Sequence, residues 1–97
     1  MSKVSPDNYV AIQGWMITDL NLKGNELLIY AVIYGFSQDG ESQFTGSLQY
    51  LADWCNSSKE SARKVVKNLL DKELLIKEDK IVNGIKFCKY RAVKPKK

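Results

Sequence analysis

Residues 55–70, CNSSKESARKVVKNLL, constrain this chain more than any other stretch, because they prescribe a helix with two incompatible faces. Ala62, Val65, Val66, Leu69 and Leu70 fall within roughly 140° of an ideal helical wheel, and Glu60, Arg63, Lys64, Lys67 and Asp71 take the opposite side. One face must lie on a core, and the other must be left outside it. Ser57 and Glu60 match the S-x-x-E capping box, with Ser58 a competing cap one residue on, and either choice starts the helix here.

The neighbours of this helix narrow the fold further. Before it, FTGSLQYLADWC sets Leu48, Leu51 and Ala52 at helical spacing, which predicts a helix of about two turns with Thr45 or Ser47 as its N-cap. Two helices joined by about three residues, the second amphipathic and basic outside, form the helix-turn-helix pattern. After it, LLIKEDKIVNGIKFCKYRAV turns strand-like around Asn83-Gly84, the dipeptide of a two-residue type I′ hairpin. That turn predicts the register: Val82 opposite Ile85, Lys80 opposite Phe87 and Glu78 opposite Lys89. A hairpin directly after a helix-turn-helix is a wing.

Upstream, KGNELLIYAVIYGFSQDG predicts a helix from Lys23 that ends between Gly35 and Ser37 and is closed by Asp39-Gly40. It is apolar nearly all round, so it is either a central core helix or a helix that shares a self-association surface with Trp15, Tyr30 and Phe36. Residues 9–16, YVAIQGWM, alternate in character until Gly14 and predict a short extended segment that turns into something else. The class is therefore α+β: three main helices, a C-terminal β-hairpin wing and a short N-terminal extension. Residues 1–8 are expected to be a flexible N-terminus, residues 9–93 the single domain, and residues 94–97 a basic tail or the start of a linker.

Ninety-seven residues suffice for one core and not for two. The net charge is +4, and thirteen of the fifteen Lys and Arg residues lie between positions 57 and 97, so the basic character belongs to the C-terminal half. There is no histidine, and Cys55 and Cys88 stand 33 positions apart without a CxxC pair, which rules out the usual four-ligand zinc site. Two free thiols in a reducing cytoplasm are the expected state, a disulfide the alternative. No cofactor is called for, and no enzyme is expected: neither cysteine has an obvious base, and Glu78-Asp79, Asp39 and Glu41 fall in turns. The longest apolar run, residues 27–36, is half the length of a bilayer span, and a cytoplasmic location without membrane contact is expected.

With those elements in order, the chain resembles the winged helix-turn-helix domains at the N-termini of replication initiator and DnaD-like proteins of phages, plasmids and other mobile elements of Gram-positive bacteria. The likeness spans about residues 9–93 and rests on LKGNELLIYAVIYGFSQDGES, FTGSLQYLADWCNSSKESARKVVKNLLDKELLIK and NGIKFCKYRA. The resemblance implies binding to double-stranded DNA, with the basic helix in the major groove, the wing along the backbone and the N-terminal segment helping dimerisation. Members of that family commonly carry a basic residue at the place of Glu60 and a glycine at the place of Glu73. At Glu73 this chain must either hold a left-handed residue at a cost of about 1 kcal/mol or end the helix differently.

On that reading Ser58, Lys59, Glu60, Arg63, Lys64 and Lys67 form the recognition helix surface, with Lys59, Glu60, Arg63 and Lys64 nearest the bases and Glu60 able to accept from cytosine N4. Thr45, Ser47 and Ser57 at helix starts are phosphate partners or plain N-caps. Lys80, Lys86, Lys89 and Arg91 supply the wing. A homodimer and replication proteins are further partners the resemblance allows. The competing expectation is a protein-interaction module that self-associates or docks through Trp15, Tyr30 and Phe36, with little DNA affinity of its own.

Overall fold

The computed structural model describes residue 4 and residues 6–36 and 48–93, less the side chains of residues 80 and 86–88. The chain runs through α1 (Gly14–Thr18), α2 (Gly24–Phe36), α3 (Leu48–Cys55) and α4 (Lys59–Asp71) into β1 (Leu75–Val82) and β2 (Ile85–Ala92), which pair antiparallel as a two-stranded sheet. Helices followed by a terminal hairpin make the α+β, winged helix-turn-helix architecture.

The described helices are four, one more than expected. The alternation of residues 9–12 finds no strand partner among the described residues, and the backbone stays irregular until Gln13, whose extended conformation (φ −98°, ψ 147°) caps α1. Burial of Met16 then decides the local structure: one helical turn carries it into the core and sets Trp15 edge-on to Tyr30 and Tyr34, with ring centroids 6.1 and 5.2 Å apart. The Trp15 indole N–H is satisfied beside it, donating to Gln13 Oε1 at 2.6 Å.

The open question about α2 is resolved by its burial. Ile29, Tyr30, Ala31, Val32 and Ile33 are all buried, and five consecutive residues exceed one helical turn, so the helix is covered all round. It packs against α1, α3, α4 and β2, and is the central core helix. Tyr30 consequently does not belong to a self-association surface: it is 0% exposed, its hydroxyl donates to the Val93 carbonyl at 2.6 Å, and its ring stacks near Tyr34. Burial, and secondarily the neighbouring Tyr34, pushes its pKa up to about 12. Trp15 is half-buried in the same aromatic cluster, whereas Phe36 is 47% exposed.

The wing has the register predicted from its turn, with Val82 opposite Ile85, Lys80 opposite Phe87 and Glu78 opposite Lys89. Asn83 (φ 52°) and Gly84 (φ 79°) both occupy the left-handed region that a type I′ turn requires. At its base Leu74, Leu75 and Tyr90 are buried, and the Val93 N–H donates to the Leu74 carbonyl at 2.9 Å. Towards the tip the ribbon leaves the core: Ile81, Val82 and Ile85 are 72%, 41% and 59% exposed.

Candidate nucleic-acid interface

The turn between α3 and α4 is built from one left-handed asparagine. Asn56 (φ 49°) donates its N–H to the Asp53 carbonyl at 3.2 Å, and the Ser57 N–H returns to the Ala52 carbonyl at 3.0 Å, the paired bonds of a Schellman ending. Asparagine tolerates that conformation better than most residues with a Cβ, so α3 stops within one residue and the chain is free to begin α4 at once. Ser58 (φ −79°, ψ 159°) is the N-cap: its Oγ accepts from the Ser61 N–H at 3.1 Å. Between the two candidate caps the structure takes Ser58, and Glu60 is left out of a capping box.

Ser57 is corrected by this geometry. As the residue closing the α3 turn it spends its N–H on Ala52, and its hydroxyl is buried with no hydrogen-bond partner among the described residues, so it presents nothing to a phosphate. The Trp54 indole N–H beside it is likewise buried and unpartnered there, with the Trp54 ring edge-on to Tyr50. Thr45 and Ser47 lie outside the described residues.

Helix α4 lays Ala62, Val66 and Leu69 into the core and leaves Lys59, Glu60, Arg63, Lys64 and Lys67 exposed. Four cations and one carboxylate thus occupy two and a half turns of open surface. Glu60 is not isolated there: its Oε1 accepts from Arg63 Nη1 at 2.9 Å. Both partners are more than half exposed, so the pair holds on the order of 0.2–0.5 kcal/mol and yields readily to a stronger anion. Lys72, past the end of α4, is tied to Glu26 at the start of α2 at 2.8 Å.

The far end of α4 explains how the wing is aimed. Glu73 adopts φ 63°, its N–H donates to the Leu70 carbonyl at 3.0 Å, and the Leu74 N–H donates to the Leu69 carbonyl at 3.0 Å. The helix therefore ends as a glycine-bearing one does, with a glutamate carrying the strain, and Leu69 and Leu74 bury together behind it. Leu75 then starts β1 directly.

On the wing, Lys89 and Arg91 are partly exposed and, being two residues apart, share one face of the ribbon with Glu78 and Ile76. Lys80 and Lys86 hold register positions opposite Phe87 and Ile81. Lys77, counted among the basic residues of the C-terminal half but not assigned to the wing, adds an exposed cation whose Nζ lies 3.9 Å from Asp79. Its signal was its place in a basic strand, obscured by the neighbouring Glu78-Asp79. The three aliphatics of the tip were also missed, because β-branched residues are what any strand prefers.

Elsewhere Tyr9, Val32, Gly35, Phe36, Tyr50 and Trp54 line an open groove of about 420 Å³. Cys55 is a free thiol that burial pushes above its ordinary pKa. Among the described residues no cluster of three or more His, Cys, Asp or Glu is placed to hold a metal, and no helix is long and apolar enough to cross a membrane.

Among the solved structures that share this fold are two whose descriptions name DNA. One, described as "Structure of Rep-DNA complex", superposes with a TM-score of 0.62 at 22% identity over 92% of this chain and 77% of that one. The other, described as "N-Terminal domain of DNA binding protein", gives 0.65 at 24% identity over 92% of this chain and 76% of that one. No curated protein matches the chain. The match that reaches beyond the fold covers residues 20–75, from just past α1 through the first residue of the wing, and by it the chain belongs to the helix-turn-helix domain family.

Proposed function

We propose that this domain binds double-stranded DNA in a sequence-specific manner, with the exposed face of α4 in the major groove. The observation that carries this is the second helix of the helix-turn-helix: its apolar face is consumed by the core and its cationic face is open. Lys59, Glu60, Arg63 and Lys64, in the first turns of α4, reach base edges, and Lys67 follows the backbone. Arg63 exchanges Glu60 for a guanine or a phosphate, and the released carboxylate accepts from cytosine N4. Ser58 adds a hydroxyl at the helix start. Lys80, Lys86, Lys89 and Arg91 set the wing beside the phosphates, with Thr45 and Ser47 as further phosphate partners.

The module serves a replication initiator or replisome-organising protein of a mobile element, of the DnaD-like kind, acting in the cytoplasm with replication proteins as partners. Supporting this finer reading is the fold it shares with a protein solved as a Rep-DNA complex. The test is selection from random duplexes at two salt concentrations. A short motif enriched at both is expected; enrichment of none at the higher salt leaves only non-specific attraction and refutes sequence reading.

A second reading, self-association or docking through the aromatic half, draws on Phe36, whose ring is 47% exposed at the rim of the open groove. A dimer in light scattering that Phe36→Ala converts to monomer supports it, and an unchanged size does not.

A further inference from the structure

The one carboxylate between Lys59 and Lys67 is not needed to start the helix. Ser58 caps α4, so Glu60 closes no capping box, and its side chain stands 76% exposed. Among the described residues its partner is Arg63, whose Nη1 lies 2.9 Å from its Oε1, three residues on along the same face. A carboxylate in the first turn gains a little from the helix dipole, and that gain requires no arginine beside it. The pairing is also selective. Lys59, Lys64 and Lys67 are exposed on α4 as well and enter no ion pair among the described residues. Of these four cations, arginine alone presents the rigid fork that grips guanine by two bonds, whereas lysine meets a phosphate as a point charge. The carboxylate therefore restrains the base reader and leaves the phosphate contacts untied.

We propose that Glu60 is the specificity determinant of this surface: it withholds Arg63 from phosphates and releases it to guanine where a cytosine N4 amine is there to take the carboxylate. This rests on the DNA-binding reading above and deepens it. The two kinds of complex treat the pair differently. On an arbitrary sequence Arg63 reaches a phosphate only by leaving Glu60, and the stranded carboxylate then faces a polyanion with nothing to bind. Repulsion between unit charges about 6–7 Å apart weakens such a complex roughly threefold in water, and more where solvent is excluded. At a cognate site both charges are re-partnered, Arg63 by guanine O6 and N7 and Glu60 by cytosine N4, which only donates. Three residues advance about 4.5 Å along a helix axis, against about 3.4 Å per base-pair step, so a guanine and a cytosine in one pair or in neighbouring pairs serve both. Glu60 thus lowers affinity for duplexes that lack this arrangement and widens the gap between right and wrong sites.

The test measures the affinity of the full chain and of Glu60→Gln, which keeps the shape and removes the charge. The probes are the duplex recovered by selection and a scrambled duplex of the same composition. The variant should bind the scrambled duplex roughly three- to tenfold more tightly, with a salt slope steeper by about 0.9 because Arg63 takes up a phosphate. On the selected duplex it should gain less, or lose, so that its preference between the two falls roughly fivefold or more. An equal gain on both duplexes makes Glu60 a plain repelling charge and overturns the proposal, as does no change on either or an equal loss on both. Those outcomes leave DNA binding standing. A wild-type chain that binds no duplex, or binds both alike, overturns the underlying reading and the proposal together. Should the variant fail to fold, the wild-type protein decides alone on selected duplexes in which each cytosine of the motif in turn carries an N4-methyl group, which blocks the major-groove donor and leaves the pairing intact. Affinity is expected to fall roughly tenfold at one of them, and unchanged affinity at all of them sinks the proposal.

Discussion

Removing the Tyr30 hydroxyl tests whether the wing is fastened to the core where the structure places it. That hydroxyl donates to the Val93 carbonyl at 2.6 Å across 63 positions of sequence, and the Val93 N–H in turn holds the Leu74 carbonyl, so one atom links α2 to both ends of the hairpin. Tyr30→Phe keeps the ring and its contacts with Trp15 and Tyr34 while leaving the carbonyl unpaired, a change of about 1–2 kcal/mol. For a domain of this length that corresponds to a fall in Tm of roughly 5–15 °C.

The pH dependence of that difference is the sharper readout. The folded pKa of Tyr30 stands at about 12 against the ordinary 10.0, so between those values the unfolded chain releases a proton that the folded chain retains. Stability from this group is full below pH 10 and is lost as pH rises towards 12, by about 2–3 kcal/mol. The phenylalanine variant has no such step. Urea titrations of both proteins from pH 8 to pH 12 should show the wild-type advantage shrinking through the alkaline range and vanishing or reversing by its end. Two curves that fall in parallel would mean that the hydroxyl is not buried against Val93, and the anchoring argument would fail.

Three further substitutions address the ends and the underside of α4. Glu73→Gly relieves the left-handed residue of the helix ending and should raise the unfolding free energy by about 0.5–1 kcal/mol, measured by the urea midpoint at unchanged slope. Ser58→Ala removes the cap acceptor and should cost about 1 kcal/mol, whereas Ser57→Ala, which removes a buried unpartnered hydroxyl, should cost nothing in the same assay. Leu69→Ala opens a cavity under the cationic face and should cost about 2–5 kcal/mol, read as a lower midpoint with wild-type DNA affinity at temperatures where the variant is folded.

What could be read in advance was whatever depends on neighbours in sequence. The hairpin register followed from Asn83-Gly84 because two left-handed residues leave strands only one way to pair. The inward and outward faces of α4 followed from spacing, and Ala62, Val66 and Leu69 are buried as the wheel requires. What escaped was decided by contacts far along the chain. Tyr30 looked like a surface aromatic because its partner, the Val93 carbonyl, is a backbone atom 63 positions away. Residues 9–12 alternated like a strand and Gly14 marked the change, but that the chain then takes a helical turn depended on burying Met16 in the core. At Glu73 the tertiary demand that Leu74 follow Leu69 into the core outweighed a local cost of about 1 kcal/mol. Of the interface, the cations of α4 were legible by charge and spacing, whereas the pairing of Arg63 with Glu60 and the burial of the Ser57 hydroxyl depended on which serine capped the helix.

The most direct measurement is the affinity of the selected duplex as a function of salt, for the wild-type chain and for Arg63→Glu/Lys64→Glu/Lys67→Glu. If α4 lies in the groove with the wing beside it, four to six phosphates are neutralised and log K falls by about 4–5 per tenfold increase in salt. The triple variant should lose measurable binding while its Tm stays close to the wild-type value, because all three side chains are exposed. Equal affinity and equal salt slope in the two proteins would contradict the claim that this face of α4 meets DNA.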